Sequence, residues 1–179
     1  MKISRALWFT GLFAGAATAA PLTLGGREHV QILTGGGTSP LEVVAMLDPA
    51  AKGSRLQAEN IQYVLGPDGM TVHFQTSNGN MVVLQERAYD RPLIRDQMVP
   101  RDGGGREHRP VISLLLCVAN KQVEVPFILE PRDDYKPSMR IAAADVRSVG
   151  TIDASAKFLH EPLCHHLQGL APPSTPQPD

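Results

Sequence analysis

The chain has 179 residues, with 17 Lys and Arg against 18 Asp and Glu and a hydrophobic content of 42%. These values are typical of one globular domain with a hydrophobic core. They exclude a strongly basic protein, and because only 5% of the residues are aromatic and no basic stripe is present, nucleic acid is not an expected partner.

The first residues have the pattern of an export signal. Lys2 and Arg5 precede an apolar run at 6–16, and a small-x-small cleavage pattern follows at 17–19. We therefore expect residues 1–19 to be a signal peptide; a retained anchor is the alternative, but the run is short for a span. Cleavage leaves 15 basic and 18 acidic residues, a net charge of −3. The mature chain is predicted to be exported, to the periplasm of a Gram-negative host, with no membrane span.

The elements after the signal are mostly strands. A glycine-rich lead contains a strand at 29–33 and is followed by a strand at 41–47, whereas helix is predicted only as short turns at 51–60 and 160–167. Residues 61–87 predict three strands, separated by turns at Gly66-Pro67-Asp68-Gly69 and Ser77-Asn78-Gly79-Asn80.

The second half continues the same pattern. A polar, glycine-rich stretch at 100–110 predicts a mobile surface loop. A long hairpin with its turn at 119–121 follows, and the proline-rich end at 171–179 predicts a disordered tail. Many short strands with little helix indicate an all-β domain over residues 20–170, folded as a small closed or partly closed barrel.

The strand at 41–47 runs into a single carboxylate, Asp48, which is followed by Pro49, Ala50 and Ala51. This stretch, with the downstream segments, resembles the exported bacterial proteins formerly labelled ATP-dependent zinc proteases, now regarded as retropepsin-like aspartic peptidases. The matching pieces are Asp48-Pro49-Ala50-Ala51, Lys52-Gly53-Ser54, Leu56-Gln57-Ala58-Glu59-Asn60-Ile61, Arg109-Pro110-Val111-Ile112, Arg132-Asp133 and Ile152-Asp153-Ala154-Ser155-Ala156-Lys157-Phe158-Leu159.

The resemblance implies a retropepsin-like β-barrel in which Asp48 is the catalytic carboxylate. Each chain supplies one aspartate, so the resemblance also implies a homodimer that acts on a peptide or protein, with no cofactor. Two carboxylates about 3 Å apart cannot both ionise and share one proton. The ionised one then activates a water while the protonated one polarises the scissile carbonyl.

The loop after Asp48 departs from the family's Asp-Thr-Gly pattern. Pro49 has neither the threonine hydroxyl nor a backbone N–H, and Ala50 carries a Cβ that would be strained if φ were positive there. The family's second glycine position falls within 142–144, in a register that the sequence does not fix. We therefore expect peptide hydrolysis to be weakened or lost. The alternative is a non-catalytic periplasmic module that binds peptides or acts as a scaffold.

Three other groups of residues are candidate sites. Cys117 and Cys164 could form a disulfide after export, or Cys117 could remain a free thiol in a buried strand. His160, Glu161, Cys164, His165 and His166 fall within seven residues, but a capping turn is favoured over a zinc site because no partner ligands converge. The arginines at 91, 95, 101, 106 and 109 alternate with acidic residues, which predicts a solvated loop face.

Overall fold

A computed structural model of the chain describes residues 22–33, 39–79, 84–101, 103–131, 133 and 137–164. The predicted signal peptide and proline-rich tail, together with Arg132, His165 and His166, lie outside these residues. The elements in chain order are β1 Leu22–Gly25, β2 Arg27–Ile32, β3 Leu41–Asp48, β4 Ser54–Gly66, β5 Gly69–Ser77, β6 Glu86–Pro92, β7 Arg95–Pro100, β8 Arg106–Val118, β9 Lys121–Pro131, β10 Met139–Ala142, α1 Ala143–Val146 and β11 Gly150–Asp153.

Six strands form a closed ring in the order β10-β3-β2-β8-β9-β4, and a pairing of β4 with β10 closes it. The β10–β3 and β4–β9 pairs are parallel, and the other pairs in the ring are antiparallel. This ring confirms the predicted all-β barrel. Alternate side chains of these strands fill the interior, among them Val30, Ile32, Val43, Leu47, Leu56, Leu114, Leu116, Phe127, Leu129 and Ile141.

β4 belongs to two sheets. Its first residues pair with β9, and its later residues pair with β5, which in turn pairs with β6. The change occurs at a bulge between Glu59 and Gln62, where Asn60 adopts a φ of 52°. The hairpin formed by the second half of β4 and by β5 is joined to β7 by a hydrogen bond from the Tyr63 hydroxyl to Asp96 Oδ1, at 2.7 Å.

The helical turn predicted at 51–60 is wrong, because β4 begins at Ser54 and continues through this stretch. Ser54, Leu56 and Ala58 are buried while the residues between them are partly exposed, which is the two-residue alternation of a strand. Pairing on both sides, with β9 and β10, therefore overrides the helix propensity of the alanine and leucine residues.

The loop predicted at 100–110 is also mostly wrong. β7 ends at Pro100 and β8 begins at Arg106, so the connection is a tight hairpin end. Gly103, Gly104 and Gly105 all have positive φ, and a built Cβ at any of them would meet nothing within 4 Å. The glycines therefore serve the backbone conformation of the hairpin rather than close packing.

Two of the predicted hairpin turns are confirmed. Gly66 pairs with Gly69 across a two-residue turn, and Gly69 has a φ of 118°. Val118 pairs with Lys121 across Ala119 and Asn120. In both cases a residue with positive φ allows the strand to reverse within two residues.

Both ends of the described chain pack on the barrel. β1 pairs in parallel with β11, and Glu28, which is 1% exposed, accepts hydrogen bonds from the backbone N–H groups of Gly25, Leu159 and His160 at 2.6 to 3.2 Å. Residues 154–164, called here the C-terminal segment, are therefore fixed to β2. The helical turn predicted at 160–167 is absent from 160–163, which have no regular secondary structure. No helix in the described part of the chain is long and apolar enough to cross a membrane.

Candidate functional site

Asp48 lies at the edge of the barrel where β3 and β10 both end. The two strands are parallel neighbours, with Ala45 opposite Met139 and Asp48 opposite Ala142. The carboxyl ends of parallel strands meet at the same edge, so the turn after Asp48 and the start of α1 lie side by side. Within 142–144, Ala142 is the residue that lies opposite the aspartate.

The turn after Asp48 is held by the aspartate itself. Its Oδ1 accepts a hydrogen bond from the Ala50 N–H at 2.8 Å, and its carbonyl oxygen accepts one from the Ala51 N–H at 3.3 Å. This is an Asx turn with Pro49 at its second position, where the ring's fixed φ suits the backbone. Among the described residues other than glycine, φ is positive only at Asn60, Ala119 and Phe158. The strain that a positive φ would have caused at Ala50 is therefore absent.

A second set of hydrogen bonds fastens the other end of this turn. The Ser54 side chain is buried, its Oγ donates to Asp145 Oδ2 at 2.6 Å, and it accepts from the Ala142 N–H at 3.0 Å. One hydroxyl thus joins the start of β4 to the end of β10 and to α1. In the sequence Ser54 belongs only to the pieces that carry the resemblance; its burial on β4 indicates a structural role.

One cation approaches the aspartate. Arg140 Nη1 lies 4.0 Å from Asp48 Oδ2, with the Asp48 side chain 26% exposed and that of Arg140 37% exposed. The separation is too long for a hydrogen bond, so the contact is a loose ion pair. The described residues contain no group of three or more His, Cys, Asp and Glu side chains that could hold a metal ion.

Arg140 also lines a cleft of about 480 Å³ on the outer face of the barrel. The cleft lies between the outward side chains of β4, β9 and β10 and the hairpin of β7 and β8, and Arg140 connects it to Asp48. Its volume falls within the range of small-ligand sites. The charged residues that line it are Arg55, Arg101, Glu107, Arg109, Glu130, Asp133 and Arg140.

One wall of the cleft is an ion-pair network. Glu130 Oε1 contacts Arg55 Nη1 and lies 3.4 Å from Arg109 Nη1, and Arg109 Nε donates to Glu107 Oε1 at 2.6 Å. The Glu130 and Arg109 side chains are only 15% and 17% exposed. Arg109 is therefore not on a solvated loop face, and the prediction for that run of arginines is wrong at this position. Arg55 and Arg140 are distant in the sequence, and only the barrel topology brings them to the same cleft.

Cys117 and Cys164 form a disulfide, with their Cα atoms 5.8 Å apart. The bond joins the outer face of β8 to the C-terminal segment, and a hydrogen bond from the Leu163 N–H to the Ala119 carbonyl at 2.7 Å lies beside it. Of the two alternatives for Cys117, the structure has the bonded one. His160, from the same short stretch, contacts the Thr23 carbonyl through Nε2, so this part of the chain has a structural role.

Comparisons with known proteins show only the fold. No family profile matches the chain, and no curated protein does. Among solved structures, the chain is similar to Lpg0085, a protein of unknown function (DUF785) from Legionella pneumophila, with 17% identity and a TM-score of 0.63. The similarity covers 78% of this chain and 98% of the Legionella chain. It thus extends over essentially all of that protein.

Proposed function

We propose that this chain is an exported, retropepsin-like barrel that binds peptides, and in which hydrolysis by a pair of Asp48 carboxylates is weak or lost. The observation that carries the proposal is the Asp48 turn. It presents one partly exposed carboxylate at the edge of the barrel, 4.0 Å from Arg140, which lines a cleft of about 480 Å³. The sequence resemblance to aspartic peptidases at the same residues supports this assignment.

The chemistry of the turn explains why hydrolysis is expected to be weak. An aspartic peptidase needs two carboxylates that share a proton, and the resemblance assigns one of them per chain, Asp48, while the nearby Asp145 accepts a hydrogen bond from the Ser54 hydroxyl. Pro49 has no side-chain hydroxyl and no N–H to fix the loop of a partner chain.

A weak endopeptidase is the second candidate, and one observation favours it. The Ala50 N–H donates to Asp48 Oδ1 without a positive φ, so the hydrogen bond that a glycine would make is kept. In this case the protein acts as a homodimer, because two copies of Asp48 are required. Sedimentation of the mature protein should then give the mass of two chains.

The proposal is tested by measuring cleavage and binding together. The mature protein is incubated with an unfolded protein substrate from pH 4 to pH 7, beside Asp48→Ala and the control Asp68→Ala, an exposed turn aspartate. Binding of the substrate without cleavage supports the proposal. Cleavage that is lost in Asp48→Ala but kept in Asp68→Ala supports the endopeptidase instead, and absence of both binding and cleavage refutes both functions.

A further pair of changes tests the cause of weak hydrolysis. The double change Pro49→Thr and Ala50→Gly restores the hydroxyl and the glycine of the Asp-Thr-Gly pattern. If these two residues are the cause, the double variant should cleave the unfolded substrate measurably faster than the natural chain. An inert double variant that is folded and dimeric would place the cause elsewhere in the site.

The proposed export is supported by the signal-like start of the sequence and by the disulfide, since disulfides persist in oxidising compartments. Fractionation of cells that express the full chain tests it directly. The processed protein should be found in the periplasmic fraction, shortened by the mass of residues 1–19. An unprocessed protein in the cytoplasm would contradict this part of the proposal.

A further inference from the structure

The charges of the outer cleft are not balanced, and the imbalance is local. Four arginines line the cleft, against Glu107, Glu130 and Asp133. Glu107 and Glu130 are both engaged by Arg109, and Glu130 is also engaged by Arg55. The wall formed by β4, β8 and β9 is therefore internally neutralised. Arg101 and Arg140 are the two remaining guanidinium groups of the lining, and among the described residues neither forms a hydrogen-bonded ion pair, although Asp133 also lines the cleft and Asp48 lies 4.0 Å from Arg140.

Arg140 holds only a loose partner. Its Nη1 is 4.0 Å from Asp48 Oδ2, beyond hydrogen-bonding distance, so its donors are not used by that contact. A guanidinium carries five N–H donors in a planar fork. The side chain is 37% exposed, and it can therefore donate to a group that enters the cleft while it remains near Asp48.

Arg101 is positioned at the rim of the same cleft by its backbone. Its N–H donates to the Gly105 carbonyl at 3.2 Å, and its carbonyl accepts from the Gly104 N–H at 3.1 Å. The positive φ angles of Gly103 to Gly105 make this tight hairpin end possible. No partner of the Arg101 guanidinium is found among the residues that the structure describes.

We propose that this cleft binds one oxyanion group, a carboxylate or a phosphate, through Arg101 and Arg140. Guanidinium groups recognise both anions because two parallel N–H groups match two oxygens. The neighbouring Arg55–Glu130–Arg109 network keeps the opposite wall in place. The inference rests on the proposed function for the location beside Asp48, and it adds the chemical class of the group that is bound.

Asp48 is expected to weaken anion binding at this site, whereas the two arginines strengthen it. Its carboxylate competes with an incoming anion for Arg140 and repels it. The change Asp48→Asn removes the negative charge and keeps an oxygen for the Ala50 N–H. This variant should therefore bind the anion more tightly than the natural chain, a result that is not expected if Arg140 serves only as a partner of Asp48.

The test is isothermal titration calorimetry of the mature protein with inorganic phosphate and with acetate, near physiological salt. Arg101→Gln and Arg140→Gln should each weaken binding about fivefold, the factor that corresponds to ~1 kcal/mol for a partly exposed charged contact. Arg147→Gln is the matched control, since Arg147 is exposed in the turn after α1 and outside the cleft. Asp48→Asn should tighten binding several-fold.

Capped peptides that contain one Glu, or Gln in its place, identify the source of the anion. Preference for the Glu peptide over phosphate indicates a carboxylate ligand, and the reverse indicates a phosphate ligand. If neither anion binds, or if Arg147→Gln weakens binding as much as the cleft variants, the inference is refuted. Arg101→Gln is decisive if Arg140→Gln does not fold.

The two proposals can fail separately. Anion binding that depends on Arg101 and Arg140, without any binding of unfolded substrate, would refute the peptide-binding function and keep the anion site. Binding of unfolded substrate that is unchanged in both arginine variants would refute the anion site and keep the peptide-binding function.

Discussion

Removal of the Ser54 hydroxyl should destabilise the barrel at the edge that carries Asp48. In Ser54→Ala the buried Ala142 N–H loses its acceptor, and Asp145 Oδ2 loses a donor at 2.6 Å. An unsatisfied buried N–H costs about 1–3 kcal/mol, and a hydrogen bond to a charged group contributes about 1.5–3 kcal/mol. Asp145 is only half-buried and can turn to water, so we expect a total loss of about 2–4 kcal/mol.

Urea unfolding of the mature protein measures this loss. With an m-value of about 2 kcal/mol/M, the midpoint should fall by roughly 1–2 M. Ser155→Ala is the matched control, because the Ser155 hydroxyl also donates to an aspartate at 2.6 Å, Asp153, but on the exposed surface. This control should shift the midpoint much less, because the Ser155–Asp153 contact is screened by solvent.

The same variant should also weaken ligand binding beside Asp48, because Ser54 fastens the end of the turn that begins at Pro49. The NMR signals of tyrosine side chains and backbone amides elsewhere in the barrel should be the same as in the natural chain. If Ser54→Ala loses no more stability than Ser155→Ala, then the hydroxyl does not join β4, β10 and α1, and the structural argument for a fixed Asp48 turn is refuted.

Three further predictions concern other parts of the molecule. Glu28→Gln places an amide NH₂ against backbone N–H donors, so it should lower the free energy of unfolding in urea by about 2–3 kcal/mol. Amide hydrogen exchange in the C-terminal segment should become faster, and unchanged exchange would contradict this prediction. Reduction of Cys117–Cys164, which are 47 residues apart, should cost about 4 kcal/mol, and an unchanged urea midpoint in reductant would refute this. Burial and the hydrogen bond to Asp96 raise the pKa of Tyr63 to about 12. The folded state therefore holds this proton more tightly than the unfolded state, and the free energy of unfolding should fall from pH 10 to pH 12. Tyr63→Phe should remove the corresponding step in a titration followed by tyrosinate absorbance.

The barrel itself could be predicted because its strands and turns are encoded locally. The hairpin at Ala119 and Asn120 and the turn between Gly66 and Gly69 combine alternating hydrophobicity with residues that tolerate positive φ. The same local reasoning failed at 51–60, where pairing with two non-local strands decides the structure. It also failed at 106–110, where β8 is extended by pairing with β7.

The candidate site was only partly predictable, for the same reason. Asp48 and its turn are contiguous, so the sequence identifies them. The cleft combines Arg55, Arg101, Arg109 and Arg140, which come from four strands or strand ends. Spacing along the chain does not show that these arginines face one another, because that depends on the closure of β4 onto both β9 and β10.

The parallel pairing of β1 with β11 has a consequence for the order of folding. Leu22 pairs with Gly150, where a Cβ would stand 2.0 Å from the Leu22 carbonyl oxygen. The two-stranded sheet therefore joins the first described strand to the last one and admits no bulkier residue at that point. During synthesis, which starts at the N-terminus, Leu22–Gly25 is made long before its partner strand. It stays unpaired until nearly all of the barrel sequence has been synthesised. Because such long-range pairing is slow, this contact should form late, after the ring of six strands has closed.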